Sequence, residues 1–145
     1  MLRLMLEADF VSGTVKFLDK WDGNSRIVIP VNFSGKPILA IVDTGAPYCV
    51  LASDVADEIG IDRSAGERLK RPMVTSLGRH NGWLCRVPVT IEPELGEGIE
   101  FETTVLIPDG EWPADKSFIG LANFLFNIRF AVDPQENLFY FGGPI

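Results

Sequence analysis

Residues 38–45 constrain this chain more than any other stretch. An apolar run (Ile38, Leu39, Ala40, Ile41, Val42) has the composition of a buried strand, and it ends on Asp43-Thr44-Gly45, followed by Ala46. A charge at the end of a buried strand, in a turn that glycine makes comfortable, is a costly placement. Acid–base work by a paired carboxylate accounts for it. The Asp-Thr-Gly triplet occurs once. Hydrolysis by paired carboxylates needs two such groups, so one per chain implies a second chain that supplies the other.

Composition fits that picture. The 145 residues suit one domain, 1–145, and fall short of two lobes of ~100–150 residues each. Hydrophobic content of 46% with 23% charged residues is that of a globular protein. A formal net charge of −7 argues against nucleic acid and anionic membrane as partners. No run approaches the ~18 apolar residues of a membrane span. Residues 1–6 are broken by Arg3 and stopped by Glu7 and Asp9, too short for a signal sequence, so the expected location is cytoplasmic. Cys49, Cys85 and the single histidine, His80, make neither a disulfide framework nor a metal site. No metal and no cofactor are expected. The cysteines read as buried thiols in a reducing compartment, with a reactive thiol beside His80 as the sharper alternative.

Along the chain, strand signals dominate. Residues 10–18 carry Val11, Val15 and Phe17, interrupted by Ser12-Gly13, and Asp22-Gly23-Asn24-Ser25 is a turn cluster. Ile27, Ile29, Val31 and Phe33 alternate with Val28, Pro30 and Asn32, and Pro30 places that strand near an edge or a bulge. Ser34-Gly35 then turns the chain into the strand that ends at Asp43. Residues 48–51 read as a short strand. Residues 53–59 read as a short helix with Ser53 as N-cap, Asp54 in the first turn and Gly60 as the stop. Residues 62–69 are polar and loop-like.

Two strand runs flank Gly78-Arg79-His80-Asn81-Gly82, where Asn81-Gly82 is a strong tight-turn signal. The outgoing run puts Trp83, Cys85, Val87, Val89 and Ile91 on one face. A polar tip of this kind is either an ordinary surface excursion or a lid over a bound peptide. His80 reads as a solvated turn residue. A strand over 99–107, the turn Pro108-Asp109-Gly110, the element Phe118-Ile119-Gly120, a helical turn or two over 121–126 and a C-terminal hairpin over 128–142 complete the chain.

An isolated Asp-Thr/Ser-Gly arises by chance in about one chain in fifteen of this length, so the context must carry the argument. Apolar strand, Asp43-Thr44-Gly45-Ala46, apolar strand, glycine-bounded hairpin and then Phe118-Ile119-Gly120 before a short helix resembles the single-domain, retroviral-type (retropepsin-like) aspartic proteases. The resemblance spans about residues 26–133, leaving 1–25 as an N-terminal extension. The tail, with Phe130-Ala131-Val132-Asp133-Pro134 and Phe139-Tyr140-Phe141-Gly142, is similar to bacterial members.

The resemblance implies an all-β fold, a closed acid-protease β-barrel with one or two short helices, a flap hairpin over 78–82 and an active site shared by a homodimer. It implies an endopeptidase acting on extended polypeptide, with Asp43 as the catalytic residue. Two carboxylates about 3 Å apart repel by ~5 kcal/mol at an effective dielectric of ~20, so the pair shares one proton and titrates as a unit. By the same resemblance Thr44 reaches across the dimer axis, Gly45 lends its N–H to the carboxylate and Ala46 leaves room for substrate. Phe118 and Ile119 pack beneath the loop, and Gly120 permits the crossing. Two positions depart from viral members, where an acidic residue and an arginine can pair. Here they are Pro47 and Leu121, and the flap has only Gly78 and Gly82. Competing readings are a catalytically silent dimeric peptide-binding adaptor on the same fold, and a monomeric β-barrel interaction domain with Asp43 as a turn cap.

Overall fold

The computed structural model describes residues 12–143, so the expected strand residues Phe10 and Val11 lie outside the described residues. The molecule is mostly β. Its strands are β1 (Gly13–Lys16), β2 (Leu18–Trp21), β3 (Asn24–Phe33), β4 (Lys36–Val42), β5 (Cys49–Val50), β6 (Glu67–Arg68), β7 (Met73–Thr75), β8 (Gly78–His80), β9 (Gly82–Ile91), β10 (Leu95–Gly96), β11 (Ile99–Pro108), β12 (Phe118–Ile119), β13 (Arg129–Asp133) and β14 (Leu138–Gly142). The single α-helix among the described residues is α1 (Ser53–Glu58), with one-turn 3-10 segments at Arg63–Ala65 and Leu125–Asn127.

The early hairpins follow from local chemistry. Asp22 and Gly23 (φ 52° and 78°) close β2 onto β3, and Ser34 and Gly35 (φ 50° and 84°) close β3 onto β4. Two consecutive positive φ values give the turn whose twist matches that of paired strands. The alternation read in β3 holds from Ile29 onward, with Ile29, Val31 and Phe33 buried and Pro30 exposed, whereas Val28, expected on the other face, is buried and Ile27 only partly so. Pro30 pairs with Leu39 of β4 on one side. Its other side lies between the end of β2 pairing at Val28 and the start of β9 pairing at Asn32. A residue without an N–H fits that gap in the ladder.

The large sheet runs β2-β3-β4-β12-β5-β11-β9-β6, and β3 also pairs with β9. Its longest ladder joins β9 to β11 over ten residue pairs, with Cys85, Val87, Val89 and Ile91 buried and Arg86 and Pro88 exposed. A second sheet, β10-β1-β14-β13, joins the two ends of the described chain. The core between these layers holds Phe33, Phe124, Phe139 and Phe141, all fully buried. Each such aromatic contributes roughly 1.5–3 kcal/mol through burial alone. A smaller cluster of Val50, Ala52, Leu106 and Trp112 packs with Met73 and Phe118.

Several local expectations are corrected. Ser53 is not the N-cap: Ala52 holds that position without a side-chain bond, and the Ser53 hydroxyl accepts from Arg63 Nη2 at 2.6 Å. The expected stop is present, with Gly60 at φ 76°. Residues 121–124 form turns, and the helical segment begins only at Leu125. The expected flap tip is also displaced. The tight turn falls at Ser76-Leu77, between β7 and β8, whereas Gly82 opens β9 with no positive φ at Asn81 or Gly82. A Cβ on Gly82 would sit 2.2 Å from the Ile107 carbonyl oxygen, so glycine serves close strand approach there, not a turn.

Candidate active site

Strand β4 delivers Asp43 to the rim of the sheet, and β12 fixes it there. β12 is wedged between the two strands that flank the 43–48 loop, parallel to β4 (Phe118 opposite Ile41, Ile119 opposite Val42) and antiparallel to β5 (Phe118 opposite Val50). The Ile41 N–H donates to Ser117 O at 2.8 Å and the Asp43 N–H to Ile119 O at 2.9 Å. Beyond Gly120, the Leu121 and Ala122 N–H groups donate to Ala46 O and Pro47 O, each at 2.9 Å. Residues 117–122 therefore hold both ends of the loop through backbone bonds.

Inside the loop, Asp43 Oδ1 accepts from the Gly45 N–H at 2.9 Å, and Asp43 O accepts from the Ala46 N–H at 3.1 Å. The carboxylate is half-buried, while Thr44 and Gly45 are exposed. The Thr44 hydroxyl has no hydrogen-bond partner among the described residues. Gly45 does not occupy the left-handed region, contrary to the expectation of a glycine-specific turn. A Cβ there would lie 3.2 Å from Asp43 Oδ1, so glycine is fitted to the carboxylate.

Asp43, Gly45 and Ala46 line a cavity of about 190 Å³ whose walls include Val50, Trp112 and Phe118. The hairpin of β7 and β8, paired only with itself, contributes Met73 to Leu77 to the same cavity. Its tip is fastened by Thr75, whose Oγ1 accepts from the Leu77 N–H at 3.0 Å and donates to Gly78 O at 3.2 Å. Of the expected flap residues, Gly78 takes φ 108° beside the tip and Arg79 is exposed. Asn81 lies between β8 and β9, its Oδ1 accepting from the Gly82 N–H. The cavity-lining part of the hairpin is 73–77, not 78–82.

His80 is half-buried, not solvated. Its Nε2 lies 2.9 Å from Leu77 O, and its ring meets Trp112 edge-on at 4.8 Å. Trp112 in turn packs edge-on against Phe118 at 6.2 Å and donates from Nε1 to Lys116 O at 2.8 Å. Trp112 and Arg26, both lining the Asp43 cavity, were not singled out from the sequence. Arg26 left one trace there, a cation at the head of the alternating run of β3. Cys49 and Cys85 are free and buried. Burial pushes the Cys49 thiol up to about 11 despite contacts with Gly120 and Thr103, far from the range of a reactive thiolate.

A family model described as aspartyl protease matches residues 29–109, more than half of the chain. The chain belongs to the aspartyl protease family. Its fold is that of retropepsin-like members: it is similar to a retropepsin-like aspartic protease from Rickettsia conorii, 22% identical, with a TM-score of 0.64 over 90% of this chain and 91% of that one. Also similar are the EIAV protease in complex with an inhibitor (17% identity, TM-score 0.49, 70% and 86% of the two chains) and a retroviral protease-like domain from Leishmania major (22%, 0.48, 80% and 87%). No curated protein matches the chain by sequence. Among its described residues no helix is long and apolar enough to cross a membrane.

Proposed function

We propose that this chain is an aspartic endopeptidase that works as a two-fold homodimer, one Asp43 from each copy forming the catalytic pair. The posture of Asp43 carries the reading. Its backbone is pinned to Ile119, its carboxylate is oriented by the Gly45 N–H, and it faces a cleft covered by a self-contained hairpin. A carboxylate needed only as a turn cap would not call for a cleft or a lid.

In the proposed reaction the two carboxylates share one proton. The ionised member takes a proton from a bound water, whose oxygen attacks the peptide carbonyl carbon. The protonated member hydrogen-bonds the carbonyl oxygen as negative charge develops there. Collapse of the tetrahedral intermediate breaks the C–N bond, and the amine leaves with a proton returned by the pair. Thr44, exposed beside the pair, braces one loop against its twin. Phe118, Ile119 and Gly120 support the loop from beneath. The substrate lies extended between the hairpin and the cleft floor, bound through its backbone. The ring of pairings β3-β4-β12-β5-β11-β9 is read as a closed barrel within one domain, 1–145, and the free buried thiols favour a reducing compartment such as the cytoplasm.

The test combines a size measurement with digestion of a peptide library from acidic to neutral pH. Asp43→Asn is expected to lower cleavage by at least ~10³-fold without unfolding the chain, and Cys49→Ala to retain it. A folded dimer that cleaves nothing across that range favours the silent adaptor. A protein that stays monomeric at high concentration removes both dimeric readings.

A further inference from the structure

The chain has one imidazole, and it stands where the hairpin meets the body of the molecule. The β7–β8 hairpin pairs with no other strand, so side chains must seat it. Met73 packs with the cluster of Val50, Ala52, Leu106 and Trp112, and His80 stands directly opposite Met73 in the ladder. Val74 is 73% exposed.

His80 joins the hairpin tip to Trp112. Its Nε2 lies 2.9 Å from Leu77 O, and its ring meets the Trp112 ring at 4.8 Å. A carbonyl oxygen can only accept, so Nε2 carries a proton and Nδ1 is left to take up a second. Leu77 and Trp112 line both the Asp43 cavity, about 190 Å³, and an outer groove of about 580 Å³. The two side chains therefore form a partition between these spaces. The inner cavity is smaller than the ~300 Å³ at which ligand sites ordinarily begin, so an extended peptide needs the partition to open.

His80 lines the outer groove together with two carboxylates, Asp54 from α1 and Glu111 from the 109–113 loop. Neither has a cationic partner among the described residues. The neighbouring cations are occupied: Arg68 by Asp109, Arg63 (bonded to Ser53) by Asp57, and Lys116 by Asp22. Arg79, next to His80 on β8, alternates to the other face of the hairpin and does not line the groove. Asp43 lies beyond the partition.

We infer that His80 is a proton-operated latch, which when charged holds the hairpin against Trp112 and bars the Asp43 cavity, and when neutral lets the hairpin lift. Carboxylates facing the docked ring favour its cationic form, and a lifted ring leaves them behind. The docked hairpin thus binds the proton more tightly, so acid favours docking. Histidine is the side chain that ordinarily changes charge between pH 5 and 8, and the latch tightens as pH falls through that interval. Its effect on peptide entry rests on the protease reading, whereas the latch itself does not.

The experiment follows tryptophan emission of untagged, folded Asp43→Asn protein from pH 5 to 8. A charged imidazole 4.8 Å from an indole alters its emission, so an inflection is expected in that interval. It should vanish when His80→Gln or Trp112→Phe is added. With Asp54→Asn and Glu111→Gln together, its midpoint should fall by about 0.5 pH unit. In the active protein, the ratio of kcat/KM for His80→Gln over wild type should be about threefold larger near pH 5 than near pH 8. Titration of the catalytic pair is common to both proteins and cancels in that ratio. The latch is overturned by an emission curve without the inflection, or by one whose inflection survives His80→Gln. A midpoint that does not fall without the two carboxylates, or a ratio level with pH, overturns it too. If no peptide is cleaved, the protease reading fails, and the emission titration decides the latch by itself.

Discussion

Two glycines beside the proposed catalytic loop illustrate how one residue type can serve different ends. Neither Gly45 nor Gly120 has a positive φ, so a missing Cβ matters at both for reasons of space. At Gly120 the obstacle is backbone: an added Cβ would lie 2.2 Å from Tyr48 O and 2.7 Å from Ala46 O. At Gly45 it is the Asp43 carboxylate itself, at 3.2 Å. Gly120→Ala should therefore cost about 1–3 kcal/mol in urea unfolding, because β12 must shift to make room. Gly45→Ala should change stability by less than about 1 kcal/mol yet lower kcat by displacing the carboxylate. Equal stability losses in the two variants would contradict this division. The sequence shows both glycines, but their separate reasons depend on partners up to 74 residues away, as with Asp43 and residues 117–122.

At the scale of elements, the approach to the hairpin is held by Arg68 of β6, clamped to Asp109 just past β11. The Arg68 guanidinium holds the Asp109 carboxyl below the usual carboxylate range. A depressed carboxyl stabilises the fold above its ordinary range and loses that contribution as pH falls through the lowered value. Both partners are about half exposed, so the effect is at most about 1 kcal/mol. Asp109→Asn should thus lower the urea midpoint at neutral pH, with the gap to wild type closing in acid. A gap independent of pH would contradict the clamp. Strands were legible where side-chain alternation and paired positive-φ turns coincide, as at Ile29, Val31 and Phe33 or at Ser34-Gly35. The hairpin tip was not, because Ser76-Leu77 has no turn signature and Asn81-Gly82 has a false one. Likewise, the Ser53 hydroxyl bonds Arg63 ten residues on, which no local pattern announces.

At the scale of the whole molecule, a single Asp43 per chain makes activity a property of paired copies under the proposed mechanism. Adding an equal amount of folded Asp43→Asn protein to wild type should then reduce total activity to about half once subunits exchange, since half of the wild-type chains then sit in mixed pairs. Unchanged total activity would mean that each chain works alone. The second sheet bears on a different property. β1 lies between β10 and β14, the Ser12 N–H donates to Phe141 O at 2.8 Å, and the Gly143 N–H donates to Ser12 Oγ at 3.2 Å. The two limits of the described chain thus lie side by side, and a short covalent bridge between them would leave every strand with the same neighbours. Between Ser12 and Gly143 the strand order is in that sense cyclic, so the same sheets could be threaded from another starting strand without changing which strands touch.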